Sequence, residues 1–299
     1  MELSLLMRLR IAAAAAIGVL LIGIIAWPLA SSPGPLNAVR ASDISVGGSI
    51  TLVVLAFLTG LIAYFVSWPY GREIGILAVP SGLTIWAVRS GSMTSLMQLY
   101  PSAEQRQAIF TAFKWHSVFW LVLVAAGFIG VLLGQKIISS SRSPAKQKTS
   151  NSNPTQYLSA IIALAGSVFI AQFCIGMLAQ DVSLLDSKLG AIMAQPSVGQ
   201  IVFAVFISFG VAAFVVKKFL DVNYIWPAIA TALLTIFTVS SYARQDVLQY
   251  FVREWPSAFF VNSVISILPV QIVALGALGS IAGYWVAIRY NYWRRHEMK

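Results

Sequence analysis

Charge is the property this chain has least of. Asp, Glu, Lys and Arg make up 10% of its 299 residues, 58% are hydrophobic, and the mean hydropathy is +0.80. Soluble domains carry charge on about a quarter of their residues. An ordinary water-soluble domain is therefore excluded, and a multi-pass membrane protein is expected. Cysteine is scarcer still: Cys174 stands alone inside an apolar run, which excludes an intramolecular disulfide and any multi-cysteine metal site. The two histidines, His116 and His296, are expected on opposite faces of the membrane, which excludes a shared metal or a bis-histidine haem. No cofactor is expected.

What the chain has in abundance is apolar runs. Eight are bounded by breakers or charge: Ile11–Ala30, Ile50–Val66, Ile74–Val88, Trp115–Gly134, Tyr157–Ala179, Val198–Val216, Ile225–Tyr242 and Val261–Ile288. None contains Asp, Glu, Lys or Arg. Intramembrane ionisable groups mark proton relays and many ion-coupled carriers, so a proton-driven carrier is disfavoured. The third run is the shortest. Its 15 residues at about 1.5 Å each fall short of a hydrocarbon core about 30 Å thick, and Pro80 lies within it. In the fourth, Ser102 and Gln105 form a capping-box pattern that starts the helix ahead of the apolar run. Pro227 falls in a first turn, where proline is tolerated, and Pro269 is expected to kink the last span.

Between the fourth and fifth runs lies Ser139–Gln156, with three basic residues, no acidic ones and two prolines. It cannot bury enough apolar surface to offset its ordering entropy, so a solvated linker is expected. The chain then divides into a first membrane unit, 1–138, the linker, 139–156, and a second unit, 157–299. With an inside N-terminus, alternate loops place 13 of the 20 Lys and Arg residues on one face and only 4 of the 10 Asp and Glu. Positive charge marks the cytoplasmic side. Both termini and the linker are thus expected in the cytoplasm of a plasma (inner) membrane, bacterial in type, against anionic lipid headgroups. The net charge of +10 needs no nucleic acid.

Shifting the chain by 155 positions brings Arg89 onto Arg244, Tyr100-Pro101-Ser102-Ala103 onto Trp255-Pro256-Ser257-Ala258, and His116 onto Gln271. Coincident unusual features at one offset indicate duplication. Two parallel four-helix repeats are expected, since a unit of four crossings keeps its orientation when repeated.

Candidate site residues follow from this frame. Arg89 and Arg244 each precede a segment whose Ser102 or Ser257 would expose helix N-terminal amides, a pattern suited to an anion or a lipid headgroup. Thr231, Thr235, Thr238 and Tyr242 form a hydroxyl stripe that could line a polar path, although such threonines commonly bond their own helix. Gly130 with Gly134, and Gly279 with Gly283, have the spacing of close helix packing. His116, among Phe113, Trp115, Phe119 and Trp120, reads as an outer interfacial belt residue, and the tail Arg289–Lys299 as an interfacial anchor. Ser90-Gly91-Ser92-Met93 resembles the stretch around the nucleophile of type I signal peptidases. The proline that follows in that family and its catalytic lysine in a β-rich domain have no counterpart here, so no role is carried over. No nucleophile and base are paired in the sequence.

Three functional readings result. The first is a non-catalytic subunit or scaffold of a larger membrane complex, with protein partners in the bilayer. The second is a channel or transporter for a small solute, anionic if Arg89 and Arg244 contact it. The third is an intramembrane enzyme.

Overall fold

A computed structural model describes residues 5–30, 40–91, 93–100, 102–140, 154–180, 182–186, 190–194, 196–253 and 263–297. Seven helical stretches among these are long and apolar enough to cross a membrane: Leu5–Ile25, Val46–Val66, Ala103–Ile138, Tyr157–Leu178, Val198–Leu220, Ile225–Tyr242 and Pro269–Arg294. The chain is a helical, multi-pass membrane protein. In order, α1 (Leu5–Gly18) continues as a π-helical stretch, Val19–Ile25; α2 (Trp27–Ala30) and a 3-10 turn (Ala41–Asp43) lead to α3 (Val46–Val66). The short α4 (Gly71–Ile74) passes through a 3-10 turn, Gly75–Leu77, into α5 (Ala78–Arg89), then α6 (Met93–Gln98) and α7 (Ala103–Ser140). The second half holds α8 (Pro154–Leu178), α9 (Val198–Leu220), α10 (Ile225–Tyr242), α11 (Gln245–Arg253) and α12 (Pro269–Glu297).

One element departs from the all-helical expectation. Between α8 and α9, β1 (Val182–Asp186) and β2 (Gly190–Ala194) pair as an antiparallel hairpin, with Val182 opposite Ala194 and Asp186 opposite Gly190. This segment lies between apolar runs and outside any helix period, so the helical patterning has nothing to say about it. Pro269 is a second departure. It opens α12 instead of kinking it, because residues 263–268 form turns; a first-turn proline has no intrahelical bond to lose. The linker narrows too, since α7 runs to Ser140 and α8 begins at Pro154. Residues 141–153 lie outside the described ones.

The third apolar run is neither a regular span nor a surface piece. Gly71–Arg89 is helical throughout, broken only by its 3-10 turn. Ile74, Val79, Leu83, Trp86 and Ala87 are all buried. Most of its side chains meet protein, with Ser81, Thr84 and Ile85 half-buried and Val88 exposed along one face, and its glycines let neighbours approach.

Glycine sets the closest contacts. A Cβ on Gly130 would lie 2.1 Å from the Phe57 carbonyl oxygen, one on Gly60 1.9 Å from that of Gly127, and one on Gly134 2.5 Å from the Tyr64 ring. Gly127 lies against Ala56 and Gly60, Gly130 against Phe57 and Leu61, and Gly134 against Tyr64, so position number rises along both helices together and α3 and α7 run in the same direction. The second half repeats this between α9 and α12. A Cβ on Gly279 would meet Phe206 O at 2.2 Å and one on Gly283 would meet Gly210 O at 2.0 Å. Gly82 meets Gly18 O at 2.3 Å and Gly23 meets Ile85, so α5 lies along α1 in the same sense. Small residues permit this backbone proximity, which dispersion and weak hydrogen bonds reward in a bilayer. Across the halves, α5 packs on α12 and α10 packs on α7. The largest core cluster accordingly mixes both halves, joining Trp86, Phe110 and Trp120 with Tyr242, Leu268 and Val273.

Candidate functional site

The densest polar network among the described residues caps the end of the bundle where α7 begins. Its base is the capping box anticipated for α7: Gln105 N–H donates to Ser102 Oγ at 3.2 Å, and Ser102 N–H to Gln105 Oε1 at 3.4 Å. This fixes the corner between α6 and α7 and orients Tyr100. Arg106, buried to 5% exposure, donates its Nε–H to the Tyr100 carbonyl at 2.9 Å. From the other side Arg40 Nη1 donates to the Tyr100 hydroxyl at 2.5 Å, and its Nε and Nη2 reach Asp43 Oδ2 at 2.8 and 2.7 Å. Tyr100 is thereby clamped between two arginines, one on its hydroxyl and one on its carbonyl.

His116 completes the network from below. It is buried, and its Nε2 accepts the Ser42 N–H at 3.3 Å, which requires an unprotonated Nε2. The belt placement is corrected: the ring lies under the 40–43 turn and against Phe113, with ring centres 5.4 Å apart, instead of facing lipid. Asp43 also accepts the Ser42 hydroxyl at 3.2 Å. Chemically this is a closed arrangement. Asp43 neutralises Arg40, His116 accepts a backbone N–H, and the Ser42 hydroxyl is turned onto Asp43 and not onto the His116 imidazole. Among the described residues no group of three His, Cys, Asp or Glu side chains is disposed to hold a metal ion.

The arginine pair singled out in the sequence has two different settings. Arg89 closes α5, with its guanidinium 5.2 Å from the centre of the Trp27 ring. Arg244 is exposed and reaches Asp246 at 3.5 Å. No hydrogen bond, ion pair or ring contact joins one to the other among the described residues. Ser102 stands at the start of α7, and Ser257 lies outside the described residues. No family model, curated protein or solved structure matches the chain. Its chemistry has to be read from its own geometry.

That geometry is most informative where the halves meet. Thr231, Thr235 and Thr238 are buried, and each hydroxyl donates to a carbonyl of its own helix, at Ala228, Thr231 and Leu234. Tyr242 packs edge-on against Phe110, with centres 4.6 Å apart. A cavity between Thr235, Thr238, Phe113, Pro269 and Ile272 measures about 10 Å³, room for about one water molecule. The Thr231 methyl presses on Gly276, where a Cβ would come within 2.5 Å.

Two buried polar links went unremarked in the sequence. Gln271 accepts the Leu268 N–H at 3.0 Å and donates to the Ala87 carbonyl at 3.0 Å. It caps α12 and ties that helix to the end of α5 across the halves. Its signal was available, since it is an amide well inside an apolar run whose other amide, Asn262, stands at the edge. Trp86 donates its Nε1–H to Gly23 O at 3.2 Å, inside the π-helical stretch. Nothing in the spacing of residues 23 and 86 announces that partnership.

Proposed function

We propose that the chain is a non-catalytic, multi-pass subunit or scaffold of a larger membrane complex. The observation that carries this reading is the filled seam between its halves. Trp86, Trp120, Phe110, Phe113 and Tyr242 occupy it, its threonine hydroxyls are turned onto helix carbonyls, and its one-water cavity is far smaller than the about 300–1,000 Å³ of ligand sites. A carrier for a small solute needs a polar chamber there. At Tyr100, likewise, Arg40, Asp43, Ser42 and His116 are turned onto one another and onto Tyr100.

The reading includes eight crossings in two repeated units, with termini and linker in the cytoplasm. The common direction of α3 and α7 supports the eighth crossing, because the chain between them must return across the bilayer, and Gly71–Arg89 is the helical stretch available. Duplication is supported by a shared register: Gly127, Gly130 and Gly134 recur as Gly276, Gly279 and Gly283 at a shift of 149, with Phe57 and Phe206 as matching contacts. This register has an offset of 149, six residues less than the 155 that relates Arg89 to Arg244 and His116 to Gln271. Reciprocal packing of α5 on α12 and α10 on α7 is what an axis along the membrane normal would produce.

Purification in a mild detergent with identification of co-eluting chains tests the proposal. A reproducible set of other membrane polypeptides is expected. A preparation holding this chain alone, or solute flux into vesicles containing only this chain, would overturn it.

A further inference from the structure

Most glycines of the membrane helices are spent on internal contacts; Gly47 and Gly199 stand in open space at the second residue of α3 and α9, and α8 carries two more within its apolar stretch. A Cβ on Gly166 or Gly176 would meet nothing within 4 Å. The helix packs on α9 and α10 through a buried face that includes Ala163, Ser167, Ala171 and Ile175. Its opposite face exposes Leu158, Ile162, Ala165, Phe169 and Gly176, with Phe169 71% and Phe173 68% exposed. With the part-exposed Gln172 included, these positions are spaced 4, 3, 4, 3 and 4, the 3.5-residue repeat by which one helix follows another.

Gln172 is what distinguishes this face from one meant for lipid. Its carboxamide makes no hydrogen bond to any described residue. It stands six residues, about 9 Å, inside the end of the apolar stretch Tyr157–Leu178. Helical side chains lean towards the helix N-terminus, so its amide is aimed further into the hydrocarbon and not out to the headgroups. An amide left without a partner there is costly.

We propose that a second copy of this chain covers this face, forming a parallel twofold dimer along α8 in which the two Gln172 amides pair. Copies inserted in one orientation can relate only by an axis along the membrane normal, which sets each seam residue against its own equivalent. A carboxamide is donor and acceptor at once, hence complementary to itself. An apolar partner or lipid would leave it unsatisfied, and the seam has no charge to call for an oppositely charged helix. Gly176, four residues on, lets the backbones close. This dimer is independent of whether other chains join, so its failure would leave the subunit reading standing, and the reverse.

The test uses the full chain in liposomes, with Cys174→Ser as background. Gly176→Cys is expected to give a disulfide-linked dimer on mild oxidation, whereas Val54→Cys, on the exposed part of α3, is expected to stay monomeric. Adding Gln172→Leu should weaken association about five- to tenfold, the range for one interhelical polar pair, read as dimer fraction by single-molecule photobleaching at fixed protein-to-lipid ratio. Because Gln172 makes no hydrogen bond to any described residue, the thermal midpoint of the monomer should not move. Photobleaching that finds only monomers, a dimer indifferent to Gln172→Leu, or cross-linking of the Gly176→Cys variant to a different polypeptide would each overturn the proposal.

Discussion

Gln271 and His116 occupy matched places at the 155-residue offset, and each accepts a backbone N–H where a helix or turn would otherwise leave it orphaned. Replacing Gln271 with Leu removes both of its bonds, stranding the Leu268 N–H and the Ala87 carbonyl. A loss of about 2–3 kcal/mol is expected, measurable as a lowered unfolding midpoint in detergent. His116→Ala should instead act locally, raising hydrogen exchange over residues 40–45 while the bundle core stays protected. At the other end of the bundle, Tyr224 packs on Tyr284, with centres 5.3 Å apart, and burial pushes its hydroxyl well above the ordinary tyrosine range, partly opposed by the nearby Arg72. A pKa raised on folding contributes stability that is present below the unfolded value, about 10, and is lost as pH rises beyond it. Stability should therefore fall above about pH 10 and fall less in Tyr224→Phe.

At the level of elements, the close glycine seams make the sharpest demand. Gly279→Ala puts a methyl 2.2 Å from Phe206 O, and Gly130→Ala puts one 2.1 Å from Phe57 O. Backbone cannot yield as a flexible side chain can, so each should cost about 1–3 kcal/mol. Gly166→Ala meets open space and should be neutral or stabilising by up to about 1 kcal/mol. Comparing the three melting curves checks whether the seams, and not glycine content, hold the bundle. The membrane helices were legible in the sequence because hydrocarbon forbids charge along their length, and the α7 cap because its serine and glutamine act within one turn. Gly71–Arg89 was harder to read: its length falls short as an apolar run, and only its neighbours reveal that most of it is buried. Pro269 was misread for a related reason, since helix entry and helix kink look alike until the turn before it is known. The hairpin of β1 and β2 left no helical period to find, and Tyr100 with Arg40 is a pairing 60 residues apart that no local pattern encodes.

For the molecule as a whole, the principal core draws on both halves, so the halves should hold together without a covalent link. Two chains divided within residues 141–153, expressed together, are expected to co-purify and to melt as one. Separate elution would mean that the linker itself is structural. The candidate residues fared unevenly at this scale. Thr235 and Thr238 lie beside Phe113 of the other half, the paired glycines pack helices within each half, and Arg89 and Arg244 meet separate partners, Trp27 and Asp246, which helical spacing could not foresee.

The tightest helix pairing of the first half joins α3 to α7, elements separated by another helical passage. Ribosomes add about 5–20 residues per second, so the stretch from Val66 to Gly134 takes on the order of several seconds to appear. Throughout that interval α3 rests in the bilayer with Gly60 and the Phe57 carbonyl unmatched. The same delay recurs when α9 waits for α12. Assembly of this protein is therefore timed by translation, and whatever shields a half-built glycine groove during those seconds shares in its folding.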